Sequence, residues 1–449
     1  MKRVAFHTLG CKLNYAETAS LERQFADRGY RVVPFEEESD VCVVNTCSVT
    51  ERADRECRQL VRRALRQSPN SYVVVLGCYA QLQPEEIASI DGVDLVLGAS
   101  EKFRLFDHAG QFIKDGTPRI AVSPIAEATD FGPASSGGID GRTRAFLKVQ
   151  DGCDFNCSFC TIPLARGKSR SQAISESVAH AQSLVAQGYR EVVLTGVNVG
   201  DYGKKEGSSL LELLQKLEEV DGLERIRISS IEPNLLDESL LNHWASSNKI
   251  CNHFHIPLQS GNDEILRSMR RRYTTSDYRN LVEKIRDKSP EAGIGVDVIV
   301  GFPGESDSHF ASSFEFLHAL PVSYFHVFTY SERPNTPSLQ YSGRVEPRIR
   351  YKRSQMLRTL GEQKKHSFQL AQLNSSRLVL LEGTVEANML SGYTDNYVRV
   401  FVPYQSSLVN SLVRVRLEER VAEGCIGVVE EEIQRNDKQE AASIEAAAA

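Results

Sequence analysis

The sequence predicts an α/β protein in three parts. We expect an N-terminal parallel α/β sheet, a central partial (β/α)6 barrel of the TIM type, and a small OB-like β-barrel at the C-terminus. A chain of 449 residues is too long for one ordinary core. Apolar strand-like runs alternate with helical patterns over most of the chain, which is typical of parallel sheets. Short β-like runs replace this alternation near the C-terminus.

Composition narrows the class of protein. A hydrophobic content of 41% is that of a soluble globular protein, and no apolar run approaches the roughly 18 residues of a membrane span. The chain enters a strand directly, without a secretory segment, so we expect a cytoplasmic protein with no membrane partner. Ten cysteines in a reducing compartment favour metal binding over disulfides. The net charge of −6 gives no global support for nucleic-acid binding.

The first predicted domain covers residues 1–125. Its strand-like runs at 4–7, 41–45 and 72–77 are followed by Cys11, Cys47 and Cys78. The carboxyl ends of parallel strands line one crevice, so these three cysteines should converge there. The alternative is that small buried cysteines simply favour sheet ends. Cys42 and Cys57, inside a strand and a helix, fit that alternative, but the shared placement of the other three predicts a cluster site with one open position.

Residues 126–141 are rich in Gly, Ser, Pro and Ala and are expected to form a linker. The second predicted domain, 142–370, has six strand-like runs at 145–149, 191–195, 225–229, 253–257, 294–300 and 324–328. Helical patterns between them predict six βα units with their chemistry at the strand carboxyl ends.

Three cysteines follow the first of these strands with the spacing C-x3-C-x2-C: Cys153, Cys157 and Cys160. Three thiolates can hold three irons of a cubane cluster and leave the fourth open for a small molecule. A structural zinc site or three buried thiols are the alternatives, but zinc usually takes paired C-x2-C units. The spacing resembles the signature of the radical S-adenosylmethionine (SAM) superfamily. There the open iron chelates SAM, and an electron from the cluster cleaves its sulfonium.

Polar and glycine residues recur at the later strand ends and are expected to face the cysteine loop. Such a ring can hold the methionine, ribose and adenine parts of a nucleoside sulfonium. The candidate SAM-binding residues are Thr195, Gly196, Asn198, Ser230, Glu232, Gln259 and Val298. Many radical SAM enzymes carry Gly-Gly-Glu after the second strand, where this chain has Thr-Gly-Val-Asn at 195–198.

A long basic helical pattern at 348–373 precedes the third predicted domain, 371–434. Runs at 377–382, 397–403, 412–417 and 425–429 predict the OB-like barrel. Tyr393 and Tyr397 are candidates for stacking on single-stranded bases, with an ordinary packed tyrosine pair as the alternative. The tail at 435–449 is expected to be disordered.

Together these parts resemble the methylthiotransferase family, which joins an N-terminal three-cysteine domain, a radical SAM domain and a TRAM domain. The matching motifs are Gly10-Cys11, Asn45-Thr46-Cys47, Gly77-Cys78, the C-x3-C-x2-C loop and the segment 330–337. The resemblance implies two 4Fe-4S clusters, an auxiliary one on Cys11, Cys47 and Cys78 and the radical one on the loop cysteines. It also implies sulfur insertion at an unactivated C–H bond followed by methylation, with SAM used for both steps.

Residues 8–14, Thr-Leu-Gly-Cys-Lys-Leu-Asn, resemble the branch of the family that acts on N6-threonylcarbamoyladenosine at position 37 of tRNA. Other branches act on isopentenyl-adenosine or on an aspartate of a ribosomal protein, and these remain alternatives. So does a non-catalytic iron–sulfur RNA-binding protein. The threonylcarbamoyl group carries a carboxylate, so a cation is expected near the cysteine crevice, and Lys12 adjoins Cys11.

The expected partners are the tRNA anticodon loop, an electron donor such as flavodoxin or ferredoxin, and a sulfur source. Single-stranded loops can be splayed open and stacked on by a protein. Basic segments are candidate phosphate contacts, although a charged run is usually a solvated face. The named candidates are Arg62, Arg63, Arg270 and Arg271.

Overall fold

The computed structural model describes residues 1–48, 51–128, 131–136 and 143–433, apart from the side chains of residues 51 and 52. Much of the predicted linker at 126–141, and the whole predicted tail at 435–449, lie outside the described residues. Within the described part, no helix has the length and apolar character that crossing a membrane requires.

The N-terminal sheet has six parallel strands in the order β2-β1-β3-β4-β5-β6. Strands β3 and β4 are buried along their whole length, which explains their valine-rich sequences. The three predicted strands are confirmed, and β2, β5 and β6 were not predicted. The strands are β1 (Arg3–Thr8), β2 (Arg31–Val33), β3 (Val41–Thr46), β4 (Tyr72–Gly77), β5 (Val93–Leu97) and β6 (Arg119–Ala121).

Helices cover both faces of this sheet, and each face has its own apolar core. Phe25 of the first helix anchors one core, while Val61 and Cys57 of the second helix lie in the other. The helices are α1 (Lys12–Asp27), α2 (Glu51–Gln67), α3 (Cys78–Leu82), α4 (Pro84–Ala88) and α5 (Leu105–Ala109).

The central part contains the six predicted parallel strands in sequence order, as two triplets, β7-β10-β11 and β12-β13-β14. A bridge between Ile226 and Ile250 joins the triplets, so the strands form one curved, incompletely closed barrel. Two short strands form a separate ribbon beside it. The strands are β7 (Arg144–Lys148), β8 (Gln150–Asp151), β9 (Arg170–Ser171), β10 (Glu191–Thr195), β11 (Arg225–Ile228), β12 (His253–His255), β13 (Gly293–Val300) and β14 (Tyr324–Thr329).

Alternation along these strands separates a dry outer face from a polar lumen. Apolar residues such as Leu147, Leu194 and Phe254 pack outward in the main core beneath the helices. Many of their neighbours on the opposite face, such as Phe146, Lys148 and His255, are aromatic or charged. The helices are α6 (Ile162–Arg166), α7 (Ile174–Ala186), α8 (Leu210–Glu218), α9 (Glu238–Ser246), α10 (Asp263–Ser268), α11 (Thr275–Lys288), α12 (Asp307–Ala319) and α13 (Pro347–Ala371).

The C-terminal part is a closed five-stranded barrel in the order β15-β16-β17-β19-β18, as predicted. Its second strand was not predicted, because Ser391 and Gly392 interrupt the apolar pattern. The strands are β15 (Ser376–Glu386), β16 (Met389–Thr394), β17 (Arg399–Pro403), β18 (Leu412–Val421) and β19 (Gly424–Glu432).

Candidate functional site

Cys11, Cys47 and Cys78 follow three adjacent parallel strands. The pairing of Thr8 with Asn45 and of Thr46 with Gly77 brings the carboxyl ends of β1, β3 and β4 side by side. Gly10 has a φ of +104°, and a β-carbon built on it would lie 2.9 Å from Cys47 Sγ. Only glycine therefore lets the first loop approach the second so closely.

Buried amides fix this crevice. Asn14 donates through Nδ2 to the carbonyl oxygens of Leu9 at 2.8 Å and Thr46 at 3.0 Å. Asn45 donates in turn to the carbonyl of Asn14 at 3.0 Å. These hydrogen bonds tie the first cysteine loop to the second.

The second trio lies in the loop after β8, and each of its sulfurs accepts a hydrogen bond. The backbone N–H groups of Phe155 and Ile162 point at Cys153 and Cys160, each at 3.4 Å. The Arg271 guanidinium donates to Cys157 Sγ at 3.2 Å. Such donors stabilise thiolate sulfurs that carry negative charge.

Burial raises the pKa of Cys153 and of Cys160 to about 12. Without metal these two thiols are therefore protonated at neutral pH, and metal binding must displace their protons.

Each cysteine trio offers three thiolates, which can bind three different irons of a cubane cluster. A separate group of metal-binding side chains, His255, Asp297 and His326, has all its ligand atoms within 4.8 Å of one another.

The two cysteine trios meet at one interface. Thr161, next to Cys160, donates through Oγ1 to the carbonyl oxygen of Ser48, next to Cys47, at 3.3 Å. Helix α3, which begins at Cys78, packs against α6, which follows the loop cysteines. Arg333 strengthens the junction through Ser48 Oγ at 2.7 Å and Asp54 at 2.6 Å.

A buried ionic network joins the N-terminal and central parts of the chain behind the cysteines. Glu17 of α1 forms an ion pair with Lys102 at 2.5 Å and accepts hydrogen bonds from Lys148 at 3.1 Å and Arg166 at 3.0 Å. Asp151 pairs with Lys148 at 2.7 Å and with Arg166 at 3.0 Å. Burial alone would raise the pKa of Glu17, but Arg166, Lys102 and Lys148 hold it well below its usual range. This network links helix α1 to helix α6.

A cavity of about 220 Å³ opens beside Cys160. Gln259 and Asp297 line it, together with the apolar side chains of Ile299 and Phe328. A mostly apolar cavity with a few polar groups is typical of a small-molecule site. Gln259, a predicted SAM-binding residue, therefore lines this cavity, and its contact with SAM stays a prediction.

Two other predicted SAM-binding residues carry buried polar atoms without partners. Thr195 Oγ1 and both side-chain polar atoms of Asn198 make no hydrogen bond to any described residue. Such groups are costly unless a ligand or water satisfies them, which fits a bound polar molecule. Gly196 lies against Gln150, whose Oε1 would be 2.8 Å from a β-carbon at that position.

The remaining predicted SAM-binding residues lie in different settings. Glu232 forms an ion pair with Arg271, and Ser230 is half-buried. The Val298 side chain is buried in the main core, on the face away from the lumen. Only its backbone, which pairs with Gln259, can therefore contact a ligand in the barrel.

The predicted RNA-binding arginines differ in their exposure to solvent. Arg62 and Arg270 are exposed, and Arg63 is exposed but pairs with Glu36 at 3.0 Å. The Arg271 side chain is 4% exposed and is held between Glu232 and Cys157. Its prediction as a surface phosphate contact is therefore corrected, because its guanidinium is already used to hold the cysteine loop.

Tyr393 and Tyr397 lie between the C-terminal barrel and the amino ends of the central strands. Tyr397 stacks on His253 at 4.4 Å and on Tyr393 at 4.9 Å, measured between ring centroids. Arg144 lies 4.5 Å over the Tyr393 ring. These contacts support the packing interpretation of the pair, and its stacking on RNA bases stays a prediction.

Sequence reasoning missed two features of the site and left open the side-chain direction of a third, Lys12. The Glu17 network joins residues far apart in the chain. His255 is oriented by Asp297 at 2.8 Å and by the Ser229 carbonyl at 3.0 Å. The Lys12 side chain lies where burial and the charges of Arg227 and Arg144 lower the pKa of its ammonium. Of these three features, only Lys12 could be noticed in the sequence, from its position beside Cys11.

Two stretches of the chain match models of known protein families. Residues 3–98 match the model described as Uncharacterized protein family UPF0004, and residues 147–317 match the Radical SAM superfamily. A solved radical SAM methyltransferase, TsrM from Kitasatospora setae, aligns with a TM-score of 0.52 and 17% identity, covering 75% of this chain and 77% of that one. That likeness concerns the fold alone.

Two full-length relatives carry the name threonylcarbamoyladenosine tRNA methylthiotransferase MtaB. The protein from Bacillus subtilis is 38% identical over 423 residues, which cover 93% of this chain and 94% of the relative. The protein from Aquifex aeolicus is 39% identical over 398 residues, which cover 89% of this chain and 96% of the relative. The Radical SAM match implies one 4Fe-4S cluster and SAM as cofactors. The chain is an enzyme of the radical SAM methylthiotransferase family.

Proposed function

We propose that this enzyme converts N6-threonylcarbamoyladenosine at position 37 of tRNA to its 2-methylthio derivative. The observation that carries the proposal is the meeting of two cysteine trios at one interface, through Thr161 and Ser48. The names of the two MtaB relatives support the tRNA substrate.

Each cofactor has residues suited to hold it. Cys153, Cys157 and Cys160 would hold the radical SAM cluster, and Cys11, Cys47 and Cys78 a second 4Fe-4S cluster. When bound, the cofactors would supply reductive cleavage of SAM on one side of the substrate and a sulfur donor on the other. An electron donor such as flavodoxin or ferredoxin, a sulfur source and a cytoplasmic location complete the proposal.

The chain's own residues position the reactants. Thr195, Asn198 and Gln259 offer polar atoms at the strand ends, where the parts of SAM would bind. Arg271 and the two backbone N–H groups hold the loop sulfurs in place. The Glu17 network keeps α1 and α6 together, so that the substrate base is held between the two cysteine sites. A rigid arrangement matters because a radical must meet only its intended hydrogen donor.

The tRNA would reach this interface through its anticodon loop. Bases of a single-stranded loop can be splayed out, and exposed arginines can bind its phosphates. Arg62 and Arg270 are the described candidates with free surface. The adenine C2–H bond is not acidic, which is why a radical route is chemically reasonable.

Expression in a bacterial host that lacks the 2-methylthio modification tests this proposal. We expect tRNA from the complemented host to contain the 2-methylthio derivative of N6-threonylcarbamoyladenosine, measured by nucleoside mass spectrometry. The Cys47→Ser variant should abolish that nucleoside. Cys425→Ser is the matched control and should preserve it, because Cys425 is buried in the C-terminal core.

If the tRNA contained methylthiolated isopentenyl-adenosine instead, the enzyme would belong to the branch of the family that acts on that nucleoside. Modification of a ribosomal-protein aspartate, with tRNA unchanged, would exclude tRNA as the substrate.

A further inference from the structure

The first turn of α1 faces the lumen of the central barrel. Tyr15 packs edge-on against Phe146 of β7, with ring centroids 5.7 Å apart, and Ala16 belongs to a cluster with Phe146 and Val193. Lys12 lies three and four residues before these contacts and therefore on the same face of the helix. Its nearest charged and polar groups lie toward the amino-terminal end of the lumen and are Tyr397, Arg227, Arg144 and Glu191.

Lys12 differs from the other cations of this region in having no partner among the described residues. Arg144 pairs with Glu382 at 2.8 Å, and Arg227 pairs with Glu191 at 2.8 Å. Lys148 pairs with Asp151 at 2.7 Å. Lys12 makes no hydrogen bond or ion pair with any residue in the described part of the chain. Glu191, the carboxylate among its neighbours, is already paired with Arg225 and Arg227. The partly buried ammonium therefore lacks a counter-charge of its own, which a bound anion would provide.

The chemistry of the substrate matches this position. In adenine, N1 is bonded to both C2 and C6, so a substituent on N6 lies at the same edge of the base as C2. Lys12 is likewise the immediate neighbour of Cys11. A base that presents C2 to the N-terminal cysteine site would thus direct its N6 substituent toward the surroundings of that site.

We propose that Lys12 is the specificity-determining residue that pairs with the carboxylate of the threonylcarbamoyl group. This inference rests on the proposed function. An apolar isopentenyl group would leave the ammonium unpaired, and a site built around a buried charge rejects an analogue that lacks the matching one.

Anaerobically reconstituted enzyme and two anticodon stem-loop RNAs test the inference. One RNA carries N6-threonylcarbamoyladenosine, and the other carries the same group with its carboxylate converted to the neutral primary amide. We expect the wild-type enzyme to prefer the acid by about 10- to 100-fold in kcat/KM and, by fluorescence anisotropy, in Kd. Lys12→Met should bring the acid-to-amide preference close to onefold in both kcat/KM and Kd, and Lys12→Arg should keep part of each preference.

Lys364→Met is the matched control. Lys364 is a partly buried lysine that donates to the carbonyls of His318 and Leu320, far along the chain from the cysteine sites. This variant should keep the full preference for the acid. Iron content of every variant is measured, so that loss of a cluster is seen directly.

A Lys12→Met enzyme that keeps its iron and the wild-type preference would overturn the inference while leaving the proposed function intact. Equal use of acid and amide by the wild-type enzyme would overturn it without any variant. A wild-type enzyme that methylthiolates neither RNA would overturn the proposed function, and this inference with it.

Discussion

Replacing Cys153, Cys157 and Cys160 together by alanine should leave about half of the iron and acid-labile sulfide of the reconstituted enzyme, and no SAM cleavage. The two trios belong to different loops, and each has its own fixed surroundings. The N-terminal trio depends on Gly10, Asn14 and Asn45. Iron analysis and the 5′-deoxyadenosine yield provide the measurement. The reciprocal variant, with Cys11, Cys47 and Cys78 replaced, should keep SAM cleavage and lose methylthio transfer.

The controls are the four cysteines that are not expected to be ligands: Cys42, Cys57, Cys251 and Cys425. All four are buried, and burial raises the pKa of Cys42 and Cys57 to about 12. Single serine variants of these residues should keep cluster content and turnover. If the folded loop triple variant lost all its iron, the two sites would not be independent. If it lost none, the loop cysteines would not hold a cluster of their own.

Glu17→Gln should destabilise the enzyme by about 3–5 kcal/mol, which is the usual cost of breaking a buried ion pair. The amide has nearly the same shape as the carboxylate but carries no charge. Asp151 is then the carboxylate that remains for Lys102, Lys148 and Arg166. Urea unfolding followed by Trp244 fluorescence measures the effect. Trp244 is the single tryptophan and is buried in the central part.

Glu36→Gln provides the matched comparison for this variant. Glu36 pairs with Arg63 at the surface and is 65% exposed, so its loss should cost at most about 1 kcal/mol. Equal unfolding midpoints for Glu17→Gln and the wild type would show that the buried network does not hold the N-terminal and central parts together.

The fold was predictable where hydrophobic period and length agreed. The fully buried strands β3 and β4 carry nearly continuous apolar runs, whereas several of the six central strands alternate apolar and polar residues. The predicted positions of both groups match the structure to within a few residues. The edge strands β2 and β6 have three residues each and were missed, because so short a run carries no readable period.

The candidate site was predictable from cysteine spacing and strand ends, but its electrostatics was not. Glu17 and Arg166 are 149 positions apart, and nothing in the sequence pairs them. Arg271 belongs to a basic run typical of a phosphate-binding surface, yet its guanidinium points inward to Cys157. Tyr397 could be placed in a loop, but not against His253. Side-chain direction in each case depends on tertiary packing, which a local pattern does not encode.

A single-turnover competition between two RNAs tests the central claim most directly. Purified, reconstituted enzyme is incubated with SAM, a reductant and an equal mixture of tRNA carrying N6-threonylcarbamoyladenosine and tRNA carrying isopentenyl-adenosine, and the nucleosides are measured by mass spectrometry. We predict methylthio transfer to carbon 2 of the threonylcarbamoyl nucleoside, with the isopentenyl nucleoside almost unchanged. Preferential modification of the isopentenyl nucleoside, or of neither, would contradict the proposed activity.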